Sequence, residues 1–557
     1  MRLLVFIFVA CAHGTEPGYI DPARCRPCHQ AVFDSYAKTG MGRSFSRATD
    51  VPGLGRFVHQ LSRRSYSIAQ RDGKSFLQRE PSGDAAMLER SLDYAIGSGN
   101  HSRTYIHRDE RGRLTELPVS WYAERGGYWA MSPGYDRPDH SDFRREITDS
   151  CLFCHNGYPS EANGGQASGI GCQRCHGPGE EHASRGRPIV NPARLSTERQ
   201  MEVCMQCHLE SASRTLPDAV RRFDRGPYSY RPGEPLGNFM VYFDYVRPAA
   251  EHRITVNNSA YRLIRSSCFL RSAGRMTCTT CHNPHADGAA EARQTMICRD
   301  CHPAAHSPAT TGCAGCHMQE RRTEDAVHVV MTDHFIGRQP LSGDLVAPLA
   351  EKHDRQRGPV RLLYPERLAR TADNQLIVAA AEVSAASEPR VAIAPLEQAI
   401  AAARPRDAQV YIILADAYRQ SGRIDDAIRA YREAAARNPG TEKAYAAQAE
   451  LLLGKGQIDD AQRLVESAMR MFQEAVDLPN TLSVIYSRRQ HFDDAVRVLT
   501  KAAQANPDQP LTWLNLGVCL QAKGEDSRAE AAYRKALQLQ PDFEKARLYL
   551  SRLKNKL

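Results

Sequence analysis

The sequence predicts a mainly α protein made of two unlike parts. Residues 13–340 are dense in cysteine, histidine, glycine and proline and poor in apolar runs, which predicts a domain with little regular secondary structure. Within it, residues 51–150 alternate apolar and polar positions and are rich in aromatics, which predicts a small antiparallel β insert. Residues 373–557 are rich in alanine and carry a repeat of 34 residues, which predicts an α-solenoid. At 557 residues the chain is long enough for two or more domains, and its 42% hydrophobic and 25% charged content is ordinary for a water-soluble protein.

The first part is spaced around one pattern, C-x-x-C-H, which occurs seven times. The motifs are Cys25–Cys28–His29, Cys151–Cys154–His155, Cys172–Cys175–His176, Cys204–Cys207–His208, Cys278–Cys281–His282, Cys298–Cys301–His302 and Cys313–Cys316–His317. They use 14 of the 17 cysteines and leave over only Cys11, Cys268 and Cys519. Two thiols three residues apart suit the two vinyl groups of one porphyrin, and the next histidine lies where it can supply the proximal nitrogen to iron. Zinc ribbons and iron–sulfur sites also use C-x-x-C, but zinc sites pair two half-sites and have no need of a histidine after every second cysteine. The expectation is seven covalent c-type hemes. Three motifs fall within residues 151–208, which leaves little chain for an apolar core. The hemes themselves then act as the core, giving a heme-packed domain.

The formal charge of +9 would suit an anionic partner such as nucleic acid. Covalent heme changes that reading, because two propionates on each porphyrin would add about fourteen negative charges, and much of the arginine excess then reads as propionate pairing. No nucleic-acid partner is expected. Residues 1–12 read as a signal peptide: Arg2, a short apolar run from Leu3 to Ala10, and an Ala10-Cys11-Ala12 cleavage site. The same residues also read as a lipoprotein site with Cys11 lipidated. Both readings predict export, to the periplasm or to a membrane facing it. No stretch is long and apolar enough for a membrane helix.

Within the insert, Tyr66 to Gln70 and Ser75 to Arg79 flank Asp72-Gly73 and predict a hairpin. Thr104–Arg108, Leu114–Tyr122 and Gly127–Met131 predict further strands. The insert reads as a cover for the heme array; the alternative is a substrate pocket lined by Trp121, Tyr122 and Trp129. Residues 341–372 read as a polar linker. In the last part Ala427, Ala461, Ala495 and Ala529 recur at the repeat length. Tyr411-x-x-Leu414-Ala415-x-x-Tyr418, Gly422, Ala427, Tyr431, Ala434 and Pro439 fit the tetratricopeptide pattern, as do Trp513-x-x-Leu516-Gly517-x-x-Leu520, Gly524, Ala529, Tyr533, Ala536 and Pro541. Four clear repeats start at 408, and a degenerate one precedes them at 373–407.

Seven irons need seven further ligands unless some stay open. The candidate distal histidines are His182, His285, His328, His334, His101, His107, His59 and His306, with His140 and His252 ranked last. His182 follows a Gly-Pro-Gly turn and His285 an Asn-Pro turn that fixes its direction. Met41 is a further candidate, and a methionine ligand would raise the potential of its heme.

The strings Cys-Gln-Arg-Cys-His-Gly-Pro-Gly-Glu-Glu-His (172–182) and Cys-Thr-Thr-Cys-His-Asn-Pro-His (278–285) resemble those of bacterial multiheme cytochromes c, akin to the nitrifier tetraheme type, here fused to tetratricopeptide (TPR) repeats. The resemblance implies paired, closely stacked hemes, distal ligation by the later histidine of each string, and electron transfer. It is interrupted at the β insert. The expected function is therefore electron transfer through seven hemes, with the repeats docking a redox partner protein. The alternative is a redox enzyme with one open heme acting on nitrite or hydroxylamine. No motif is C-x-x-C-K, and no acid–base constellation stands out, so no catalytic residue is assigned.

Overall fold

The computed structural model describes residues 18–53, 55–158, 169–209, 219–246, 253–287, 291–303, 312–352, 357–472 and 475–555. The expected signal peptide, Cys11, His252 and His306 lie outside them.

The cysteine-rich half holds more β structure than its composition suggests. Strands β1 (Phe45–Arg47), β2 (Phe57–His59), β3 (Arg64–Arg71), β4 (Lys74–Arg79), β5 (Leu88–Ser91), β6 (Tyr94–Ile96), β7 (Ser102–Arg108), β8 (Leu114–Tyr122), β9 (Tyr128–Met131) and β10 (Arg145–Glu146) form two antiparallel sheets. One runs β1-β6-β7-β8-β10 with β9 also on β8; the other runs β2-β3-β4-β5. The hairpin between β3 and β4 turns at Asp72 (φ 51°) and Gly73 (φ 72°), the left-handed pair that a two-residue turn requires. Tyr66, Leu77, Tyr105, Leu117, Val119 and Tyr135 are buried between the sheets. The insert is thus a body with its own core, not a small flap. Aromatic and β-branched residues at every second position pack against one another across the two sheets.

Two further strand sets lie outside the insert. β11 (Ala219–Arg221), β12 (Met240–Tyr245) and β15 (Val360–Tyr364) form a three-stranded sheet, and β13 (Glu320–Arg322) pairs β14 (Val330–Thr332). β15 falls inside the expected linker 341–372. The polar stretch that reads as a spacer carries Val-Arg-Leu-Leu-Tyr at 360–364, and this segment registers against Tyr242–Tyr245 of β12.

Eleven helices from Ala372–Ala385 to Glu544–Lys554 build the solenoid. Ala427, Ala461, Ala495 and Ala529 are fully buried, so the helices of each pair approach closely, with Tyr431 and Tyr533 filling the space beside them. Acids open each second helix (Asp425 and Asp426, Asp459 and Asp460, Asp493 and Asp494), where they offset the helix dipole.

Both ends of the solenoid are docked on the cysteine-rich half. At its start, Ile377 and Ala381 pack on Val220, Val241 and Phe243 of the three-stranded sheet. At its far end, Leu539 enters the core of the insert. Around it Gln538 donates to the Met87 carbonyl (2.8 Å), Arg64 meets Asp542 (3.1 Å) and Lys554 meets Asp84 (2.8 Å).

Candidate heme-binding sites

Each of the seven motifs sits on a short helix or at its end. Examples are Asp149–His155, Gln173–His176 with Cys172 as its N-cap, Thr197–His208 and Gly312–His317. Helical spacing puts the two cysteines, three residues apart, on one face, and the histidine continues that face one step further. His29 leaves helical geometry (φ −124°) at a kink in Arg26–Tyr36, and His282 caps Cys278–Cys281 in extended geometry. In these two motifs the chain turns out of the helix at the ligand.

Three pairs of histidines stand face to face. His29 and His182 have ring centroids 6.2 Å apart at 18°. His176 and His285 are 6.0 Å apart at 11°, and His282 and His334 are 6.0 Å apart at 26°. Two imidazoles that ligate one metal from opposite sides need centroids about 6 Å apart, twice the sum of a metal–nitrogen bond of about 2 Å and a ring radius of about 1 Å. The residues fit an axially ligated porphyrin. The pairing is also interlocked: His182, in the tail of the third motif, opposes the first; His285, in the tail of the fifth, opposes the third; His334 opposes the fifth.

Ring orientation is held by the backbone. The Nδ1–H groups of His176, His182, His317 and His334 donate to the carbonyls of Val190 (2.8 Å), Arg187 (2.8 Å), Gly337 (2.7 Å) and Thr332 (3.0 Å). For His176, His182 and His334 this selects the tautomer that leaves Nε2 unprotonated and able to bind a metal. Burial keeps several of the rings neutral, as ligation requires. It pushes the pKa of His155 down to about 4, with His208 nearby adding to the effect, and lowers those of His208, His285 and His334. Gly177 (φ 75°) makes the turn that leads from His176 to the helix Glu180–Arg185 bearing His182. The Asn283 side chain accepts from the His285 backbone N–H (3.0 Å) and sets the direction of that ring.

Motif cysteines of different motifs meet in pairs: Cys25 with Cys172, Cys154 with Cys207, Cys204 with Cys278, and Cys298 with Cys313. Among the described residues no three His, Cys, Asp or Glu side chains converge as they would on a bare ion. A porphyrin brings four in-plane nitrogens and asks the protein for only one or two more.

The remaining candidates stand elsewhere. His59 is buried in the insert with Nδ1 on Ser62 Oγ (2.7 Å) and Nε2 on Asp136 (3.0 Å), so both of its nitrogens are taken. His107 holds Ser91 Oγ (2.9 Å) and Asp93 (3.3 Å). His101 bonds the backbone at Val330, and His328 packs on Tyr122 (5.1 Å) and Tyr128 (6.2 Å), which places both beside the β13–β14 hairpin after the seventh motif. Burial lowers the pKa of each. His140 contacts Arg64 in the insert. Trp129 stacks on Tyr105 (5.5 Å), and Tyr122 is buried with its hydroxyl on the Met131 carbonyl, so these aromatics serve packing. Two features escaped sequence reading: the four carbonyls that hold the imidazoles, and Arg174, buried between the second, third and fourth motifs. The first left no residue signature; the second stood inside a motif read only for its cysteines.

Comparisons bear on the other half. Two tetratricopeptide-repeat family profiles match, one over residues 382–441 and 480–542 and the other over 419–478. The C-terminal part is a tetratricopeptide-repeat solenoid. The human protein O-mannosyl-transferase TMTC1 is 26% identical over 184 residues, covering 26% of this chain and 21% of its own length. The chain therefore spans about a fifth of that curated relative. Among solved structures, the thermophilic TPR protein TTC0263 from Thermus thermophilus is matched over its full length and 33% of this chain (20% identity, TM-score 0.27). The TPR protein YrrB, described as having an unusual peptide-binding site, is matched over 83% of its length and 29% of this chain (16% identity, TM-score 0.25). MamA from Desulfovibrio magneticus RS-1 is matched over 84% and 27% (16% identity, TM-score 0.25). TPR solenoids bind protein partners on their extended surfaces. No helix of the described residues is long and apolar enough to cross a membrane.

Proposed function

We propose that the chain is an exported multiheme c-type cytochrome that carries electrons through seven covalent hemes and uses its TPR solenoid to engage a redox partner. One-electron oxidation and reduction of iron is the chemistry that heme supplies when bound. The chain's own part is attachment through fourteen cysteines, axial ligation, and exclusion of water. The observation that carries the reading is the set of three opposed imidazole pairs, because each joins a C-x-x-C-H histidine to a histidine outside any motif. A chance surface histidine has no reason to lie parallel to a motif histidine at that spacing. If heme binds there, His29 with His182, His176 with His285, and His282 with His334 would hold it and leave no position for substrate, which favours a carrier over an enzyme. Export follows from the chemistry, since c-type heme is attached after export, and the periplasm is the compartment proposed.

The test is expression in a host with export and heme-attachment machinery, followed by protein mass measurement and optical and EPR spectra of the oxidised protein with and without cyanide. Seven covalent hemes, low-spin and indifferent to cyanide, are expected. A chain that matures without heme would refute the reading. A high-spin fraction near one heme in seven that shifts with cyanide would move it to a redox enzyme with one open site.

A further inference from the structure

Five arginines are buried among the described residues: Arg64, Arg79, Arg174, Arg262 and Arg322. Four of them meet a carboxylate. Arg64 meets Asp542, Arg79 meets Asp142, Arg262 meets Asp333 through two 2.8 Å bonds, and Arg322 meets Glu124. Arg174 does not. It is 1% exposed, and Nη2 donates to the Phe153 carbonyl (2.8 Å), but Nε and Nη1 reach no oxygen or nitrogen acceptor among the described residues, the Cys207 thiol being the other polar group in contact. Aromatic faces surround it instead: Phe153 at 4.3 Å, Tyr158 at 5.2 Å and Tyr228 at 5.6 Å.

A buried charge without a counter-charge is costly, and cation–π contacts recover only part of that cost. The position of Arg174 suggests what it is for. The residue lies inside the third motif. Its guanidinium bonds a residue inside the second motif, Phe153, and Gln206 of the fourth motif donates to its backbone carbonyl (3.2 Å). It acts electrostatically on the Cys154 and Cys207 thiols, which are themselves in contact, meets the Cys207 thiol directly, and also acts on Cys175 of its own motif. The cation therefore faces the edge where the second and fourth attachment sites come together.

We propose that Arg174 is a positioning residue of electrostatic kind: an uncompensated buried cation that raises the reduction potentials of the hemes attached at Cys151–Cys154 and Cys204–Cys207 above those of the hemes at the first, fifth, sixth and seventh motifs. The proposal rests on the c-type heme reading. Reduction of a ferric site adds one electron, and a fixed positive charge close by in a low-dielectric interior favours the state that has gained it. Electrons entering the array would then collect on this pair.

The experiment is a mediated potentiometric titration of the mature holoprotein, followed optically, for wild type, Arg174→Gln and Arg174→Lys. Wild type is expected to show a step at the high end worth two hemes in seven. In R174Q that step should fall about tenfold in its reduction equilibrium, about 59 mV for a one-electron couple, while the hemes of the first, fifth, sixth and seventh motifs hold. R174K keeps the charge and should stay close to wild type. An R174Q protein with seven hemes and unchanged potentials overturns the proposal. So does a uniform shift of all seven, which marks a merely structural residue. If R174Q does not mature, salt decides the question on wild type. A buried cation is poorly screened, so the high-potential pair should not move between low and high ionic strength; a pair that moves as much as the rest overturns the proposal. Failure of the parent reading looks different, because wild type itself would then carry no covalent heme.

Discussion

Arg79 ties the solenoid to the insert, and its removal has a calculable cost. Arg79 and Asp142 are each 1% exposed and ion-paired. Arg79 also donates to the Gln538 carbonyl across the interface and to the Ala86 carbonyl (3.4 Å). Arg79→Met keeps the length of the side chain and removes its charge. Asp142 would then be left with the Tyr66 hydroxyl (3.0 Å) and Arg64 at 4.0 Å. Breaking a buried pair by removing one partner costs about 3–5 kcal/mol, and the residual contacts with Tyr66 and Arg64 place this case near about 3 kcal/mol. That is about a hundredfold in the local opening equilibrium. Hydrogen exchange of the holoprotein should show it as faster exchange in β3, β4 and Asp526–Leu539, with Ala408–Arg437 at the other end unchanged. Arg79→Met/Asp142→Leu removes both charges and should recover most of the loss. A cost below about 1 kcal/mol for the single variant, or a double variant no better than the single, would refute the claim that this pair bears on the docking.

Three further outcomes are expected. His182→Ala or His334→Ala should convert one heme in seven from low-spin to high-spin in EPR without loss of its covalent bond; unchanged spectra would remove that residue from the ligand set. His140 is surrounded by Arg64, His59, Arg144, Arg79 and Asp142, and burial with the nearby cations pushes its pKa down to about 2. Its unfolded form binds a proton below about 6.5 and its folded form does not, so stability should fall as pH drops from about 6.5, by at most about 1.4 kcal/mol per unit; His140→Gln should flatten that part of a denaturant-unfolding pH profile. Gln490 adopts φ 62° where Gly422, Gly456 and Gly524 make the same left-handed turn in the other repeats. Gln490→Gly should therefore stabilise the third of the four repeats by up to about 1 kcal/mol in thermal or denaturant unfolding, and a destabilised variant would refute the argument.

The C-x-x-C-H motifs and the repeats were legible because both are written in local spacing. Three residues separate two thiols of one helix face, and 34 residues separate one buried alanine from the next. The hairpin at Asp72-Gly73 was legible for the same reason. The extent of the β structure was not. Nothing local marks Val360–Tyr364 as the third strand of a sheet whose other strands lie more than a hundred residues earlier, and its polar surroundings read as a spacer.

Ligand pairing was half legible. His182 and His285 were marked by Gly and Asn-Pro turns that aim a short segment. Which motif histidine each faces depends on helices brought together from distant parts of the chain, so His182 stands opposite His29 and not opposite the histidine of its own motif. His59 was a candidate by count and His107 by its place at the border of the insert, and the insert gives them carboxylate and hydroxyl partners.

The sequence by itself determined where the C-x-x-C-H motifs stand and where helices repeat, since both follow from local spacing and helical period. Tertiary structure alone decided which histidines oppose each other, which arginine is left without a counter-charge, and that the solenoid is held at both ends. Those are matters of distance and burial between residues far apart in the chain, and no local pattern encodes them.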